Sequence, residues 1–150
     1  MLLQVVAAVV LGLICGSELN VAAFAHPTIG RQPLATHIQV RASLAALLGK
    51  VMPFCMVGST VLNLLLLLPV AHLSSGAWRL AAVSGAIQVA AIPFSLIGPV
   101  PINNRIAKWV PTSLPPDWKA QERRWDAYHW LRTCALIVGF VLLVVSIGMR

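Results

Sequence analysis

Six residues near the last apolar segment are spaced to do chemistry together. Glu122, Trp125, Asp126, His129, Arg132 and Thr133 recur at helical intervals, so one helix entering an apolar environment presents them on a single face. That face offers a proton acceptor in His129, a fixed cation in Arg132 and a hydroxyl in Thr133. Trp125, Tyr128 and Trp130 also fit an aromatic belt at a membrane interface, which accounts for Tyr128 and Trp130. It does not account for the stripe that continues inward. Taken alone, Arg132 reads as a side chain snorkelling to headgroups, and Arg123 and Arg124 read as lipid-facing basic residues.

Two other segments carry polar groups where apolar ones are expected. Glu18 lies inside the first apolar segment, followed by Asn20, with no Lys or Arg within a helical turn. An isolated carboxylate there needs a partner from another helix or a proton. It serves either function or helix–helix hydrogen bonding. His26-Pro27 closes the same segment, and His26 is either an interfacial residue or a ligand. The third apolar segment ends Pro99-Val100-Pro101-Ile102-Asn103-Asn104-Arg105. There the prolines break the helix, and the two amides can bond a carbonyl ligand or cap the next turn. His37 and His72 fall in loop or interface positions and receive no role. Cys15, Cys55 and Cys134 lie in apolar runs without paired spacing and read as buried free thiols.

Composition dictates what must position these groups. Of 150 residues, 59% are hydrophobic and 10% charged, and mean hydropathy is +0.85, which excludes a soluble globular domain. Windows at about 2–25, 51–71, 78–100 and 131–149 are each continuous and near the ~20 residues a spanning helix needs. The expected fold is therefore all-α: one integral membrane four-helix bundle over residues 1–150, with a polar, partly helical loop between spans three and four. Continuous apolar windows exclude barrel strands, which alternate. The first window lacks the basic start and the cleavage site of a signal peptide, so it reads as a span. From Leu34 a helix with Arg41 and Lys50 on its polar side runs into span two, kinked near Pro53. Prolines 111, 115 and 116 interrupt the third loop, and Asp117 is the expected N-cap of the last helix.

The net charge of +7 could suggest nucleic acid, but a chain this apolar has no basic surface to offer it. A lipid bilayer is the partner that fits. Loops one and three hold nine Lys and Arg residues, against Arg79 and Arg150 on the other side. The positive-inside rule places those loops in the cytoplasm and both termini on the non-cytoplasmic side. Glu18 then lies about 12 Å deeper than His26 from the loop side. His129 and Thr133 enter from that same side. Glu18, His26, Asn103, Asn104, His129 and Arg132 can thus converge in one pocket just below the interface, a usual place for ligand sites in bundles.

The PINNR segment at 101–105, followed by Trp125, His129 and Arg132-Thr133, resembles a family of small four-helix membrane proteins that includes the anthrone oxygenases. Glu18 and His26-Pro27 are similar to that family as well. The resemblance implies oxidation of a hydrophobic aromatic substrate, anthrone-like or phenolic, by molecular oxygen with no bound cofactor. It points to Asn104, Trp125, His129 and Arg132. The chemistry suits the residues: His129 or Glu18 as base, with Asn103, Asn104 or Arg132 holding the oxyanion. Trp125, Thr133 and His26 complete the expected substrate-binding set. A metal or haem redox protein is the alternative, with His26, Glu18 and His129 as ligands to copper or iron, although no HxxxH or ExxH pair is present. A non-enzymatic binding subunit is the third reading, and the sequence is compatible with a homo-oligomer.

The charge split makes a direct prediction. A cysteine at position 113 should stay unlabelled by an impermeant thiol reagent added to intact cells. Labelling from outside would reverse the orientation.

Overall fold

The computed structural model describes residues 2–149, so Arg150 of the charge count lies outside the described residues. Four helical stretches are long and apolar enough to cross a bilayer: Leu2–Ile29, Leu34–Leu65, Ser75–Ile97 and Trp118–Gly148. Large apolar side chains such as Leu13, Phe54, Leu131 and Val138 point outward, as a lipid-facing belt requires. The chain is an all-α membrane protein, with no β-strand among the described residues.

The first stretch is not one regular helix. Helix α1 (Leu2–Asn20) passes into a π-helical turn at Val21–Ala25 and then into α2 (His26–Ile29). The His26 N–H reaches back five residues to the Val21 carbonyl. This turn resets the angular phase. Eight regular residues would leave Glu18 and His26 about 80° apart around the axis. A π-bulge acts as one inserted residue, so the two positions differ by roughly seven helical steps and come within ~20° of alignment. Both side chains consequently face the last helix.

Helix α3 (Leu34–Leu65) contains Pro53 and starts where Pro33 turns the chain. Arg41 does not lie on a solvated polar face as expected. It is buried inside the bundle, whereas Lys50 is exposed. The chain leaves the helix after Leu65, ahead of the expected end of span two, and reverses through Pro69–Ala71 and a left-handed His72. Ser74 caps α4 (Ser75–Ile97) by accepting the Ala77 N–H at 3.3 Å.

Buried positions of α4 are mostly small: Ala77, Ala81, Ser84, Gly85, Ala91 and Ser95. Without a hydrophobic drive inside lipid, small residues let helices approach, and α4 makes its closest packing with the last helix. Polar side chains fasten α3 to α4 at mid-bundle. Ser59 Oγ donates to Gln88 Oε1 at 3.1 Å, and Asn63 Nδ2 donates to Ser84 Oγ at 2.7 Å.

The Gly98-Pro99 step ends α4, as the prolines predicted, yet Pro99 also begins a new helix, α5 (Pro99–Ile106). Asn103 and Asn104 therefore lie within a helix and cap no turn. The last helix, α6 (Trp118–Gly148), starts directly after Asp117. Asp117 does not cap it through its side chain, which instead accepts from Gln121 Nε2 at 2.9 Å.

If the π-turn sets the phase, deleting Ala23 should convert it to regular helix and keep both flanks aligned with α6. Deleting Leu13 should rotate the N-terminal half of α1 by about 100° and disrupt its packing. Thermal melts in detergent should therefore show a much smaller loss for the first deletion. Equal losses would show that the turn does not set the register.

Candidate functional site

α1 and α6 meet through one charged pair. Glu18, 2% exposed, accepts from Arg132 in a two-pronged arrangement: Nε to Oε2 at 3.0 Å, and Nη2 to Oε1 at 3.0 Å and Oε2 at 2.7 Å. The partner the sequence demanded for Glu18 is thus Arg132, which does not snorkel to headgroups. Arg132 Nη1 donates to Ser95 Oγ at 3.1 Å, and that hydroxyl donates to the Ala91 carbonyl. A guanidinium has five N–H groups. After these bonds, one N–H on Nη1 has no protein acceptor among the described residues.

His129 completes the cluster, and its tautomer follows from its neighbours. Nε2 lies 3.0 Å from the Glu18 carbonyl oxygen, which can only accept, so Nε2 carries a proton. In the neutral ring Nδ1 is then unprotonated. It faces Arg132 Nη2 at 3.3 Å and Glu18 Oε2 at 3.4 Å. Both imidazole nitrogens are therefore turned to protein groups.

A cavity of about 330 Å³ opens beside this cluster. Glu18, Ser95, Trp125, His129 and Arg132 form its polar wall, and Asn103 and Asn104 line it from α5. Apolar residues of α3 and α4, among them Met52, Met56 and Ile92, form the rest. Val57 of α3 and Leu96 of α4 line the cavity and are themselves exposed, so the cavity reaches the apolar flank of the bundle.

The structure separates the expected site residues. Glu18, Asn103, Asn104, Trp125, His129 and Arg132 share the cavity wall; His26 and Thr133 do not line it. Thr133 is fully buried and donates back to the His129 carbonyl at 2.8 Å, because a mid-helix threonine satisfies its hydroxyl on the preceding turn. His26 turns to Asp126, with Nδ1 at 3.0 Å from Oδ1. Asn103 has one amide hydrogen engaged, donating from Nδ2 to the Ala45 carbonyl at 2.9 Å. Asn104 is exposed and lines the cavity. Among the described residues, no three His, Cys, Asp or Glu side chains gather in a group able to hold a metal ion.

A second polar cluster lies on the loop side of the first. Arg41 Nη2 donates to Asp126 Oδ1 at 2.6 Å, and His37 Nε2 meets Glu122 Oε1 at 2.6 Å. Sequence spacing assigned no site role to Arg41 or His37. The signal for Arg41 was present in the Glu122–Asp126 pair, two half-buried acids one turn apart on the inward face of α6 that attract a cation. Trp125 joins the clusters. It stacks on His129 with ring centroids 4.6 Å apart, lies 4.8 Å from His26, and has the Arg41 guanidinium 5.1 Å from its ring centre. Its buried indole N–H has no partner among the described residues.

These features define a class: a small membrane bundle with a laterally open apolar cavity and one buried, neutralised charge cluster on its wall. The anthrone oxygenase family matches residues 43–142, and the chain belongs to that family. The matched region contains Asn103, Asn104, Trp125, His129 and Arg132, and begins after Glu18 and His26. No curated protein and no solved structure matches the chain.

Removing one partner of a buried ion pair leaves a charge stranded. Arg132→Met should therefore destabilise the protein by about 3–5 kcal/mol. Adding Glu18→Gln should recover part of that loss in thermal melts. If the double variant is no more stable than the Arg132→Met single, the pair is not a coupled unit.

Proposed function

We propose that this protein is a membrane-embedded oxygenase that converts a ring methylene of a hydrophobic aromatic substrate, anthrone-like or phenolic, into a carbonyl with molecular oxygen. The observation that carries this reading is the Glu18–Arg132–His129 cluster on one wall of a cavity that is otherwise apolar. Family membership supplies the reaction class. A planar apolar substrate dissolved in the bilayer enters through the lateral mouth, with its oxygen-bearing edge toward α6.

The reaction balances without an added reductant. Glu18, on the cavity wall, takes a proton from the activated ring carbon. His129 Nδ1, 3.4 Å from Oε2, holds it. The remaining N–H of Arg132 and the Asn104 amide stabilise the oxyanion that develops on the substrate. The ring carbanion is oxidised by O2, forming a C–O bond and a peroxide, and the held proton returns to the distal oxygen. Loss of the second C–H proton breaks the O–O bond. Hydroxide leaves and takes that proton as water, and the ring carbon becomes the new carbonyl. Helical spacing alone would have His129 meet the substrate directly. With both its nitrogens turned to Glu18 and Arg132, the route through Glu18 fits the geometry better.

The test is oxygen uptake and quinone formation from an anthrone by membranes containing the protein. His129→Ala and Glu18→Gln should each lower turnover about 10²–10⁴-fold at equal protein levels. Asn104→Ala should lower it about 10²–10³-fold as an oxyanion donor. No turnover by wild type overturns the proposal. Activity lost to a chelator and restored by copper or iron would replace it with metal-dependent oxidation.

A further inference from the structure

Pro53 frees a backbone acceptor on the wall of the cavity. Proline has no N–H, so the helical bond from residue 53 to the Gly49 carbonyl cannot form. The side-chain amide packed against Gly49 does not replace it: a Cβ at Gly49 would sit 2.8 Å from Asn103 Nδ2, yet the hydrogen bond that nitrogen makes goes to the Ala45 carbonyl and none goes to Gly49. Helix carbonyls point along the axis toward the residue four positions on. Gly49 and Pro53 both line the cavity, so the freed acceptor lies on the cavity side of α3, turned aside by the Pro53 ring. At membrane depth such a carbonyl is tolerated where it lines a cavity or finds a partner there.

We propose that the Gly49 carbonyl is a specificity-determining contact that accepts a hydrogen bond from a hydroxyl on the bound ring system. This rests on the aromatic-substrate reading of the cavity. The donor on the α6 wall is the uncommitted N–H of Arg132. A ligand suited to both walls carries an acceptor oxygen toward α6 and a hydroxyl toward α3. The α3 contact distinguishes a free hydroxyl from the same oxygen capped by a methyl group, because only the hydroxyl donates.

The experiment compares binding of 2-hydroxyanthraquinone and 2-methoxyanthraquinone to the purified full chain in detergent. Wild type should prefer the hydroxyl probe by about five- to tenfold, the worth of one hydrogen bond. Pro53→Ala restores the N–H to Gly49. It should bring the hydroxyl-to-methoxy preference to near unity, a ratio in which any general effect of the substitution on the cavity wall cancels. Pro53→Gly restores the same N–H and should behave alike. Equal wild-type affinity for the two probes overturns this inference even if neither variant accumulates, and so does a preference that survives both substitutions. Failure of wild type to bind either probe counts instead against the aromatic-substrate reading.

Discussion

Taking a charge out of water is the costliest thing this chain does, and the Glu18–Arg132 pair is its solution. A carboxylate within an apolar segment is tolerable only when its charge is matched and its lone pairs are occupied. Arg132 supplies both through a planar fork, and Ser95 and His129 take up much of what the fork leaves over. The pair joins the first helix to the last, so it helps close the bundle. It also fixes the His129 ring, because the Glu18 carbonyl and carboxylate meet different imidazole nitrogens.

The same matching of charge extends toward the loops. Glu122 and Asp126 are matched by Arg41, with His37 and His26 at the edges. Of the four acidic residues, only Asp117 stands outside these two clusters. The exposed basic residues are thus left to set the charge of the surface. Trp125 lies between the clusters with an imidazole stacked on it and a guanidinium over its ring, so its orientation depends on both.

Departures from regular helix occur where the site needs them. A π-turn aligns Glu18 with His26, Pro53 interrupts α3 on the cavity wall, and the Gly98-Pro99 break turns α5 so that Asn103 and Asn104 reach the cavity from the side. Each departure costs helical hydrogen bonds. Each lies beside the cavity or the clusters flanking it, where backbone and side chains meet polar groups in place of lipid.

Much of this was legible in the residues. Four long apolar windows could only become spanning helices, and helical spacing alone placed Trp125, His129 and Arg132 on one face. The anomaly of Glu18 announced a partner on another helix. Which cation that would be depended on the angular phase of two helices whose paired residues are 114 apart, and the π-turn after Glu18 set the phase of His26 in a way no apolar pattern encodes. His26 and Thr133 carried the right chemistry at the right intervals, yet the fold gave His26 to Asp126 and Thr133 to its own backbone. Arg41 gave a weak signal because its role arises from a neighbour distant in sequence. Composition and periodicity report which groups must leave water; the packing of one helix on another decides which groups they meet there.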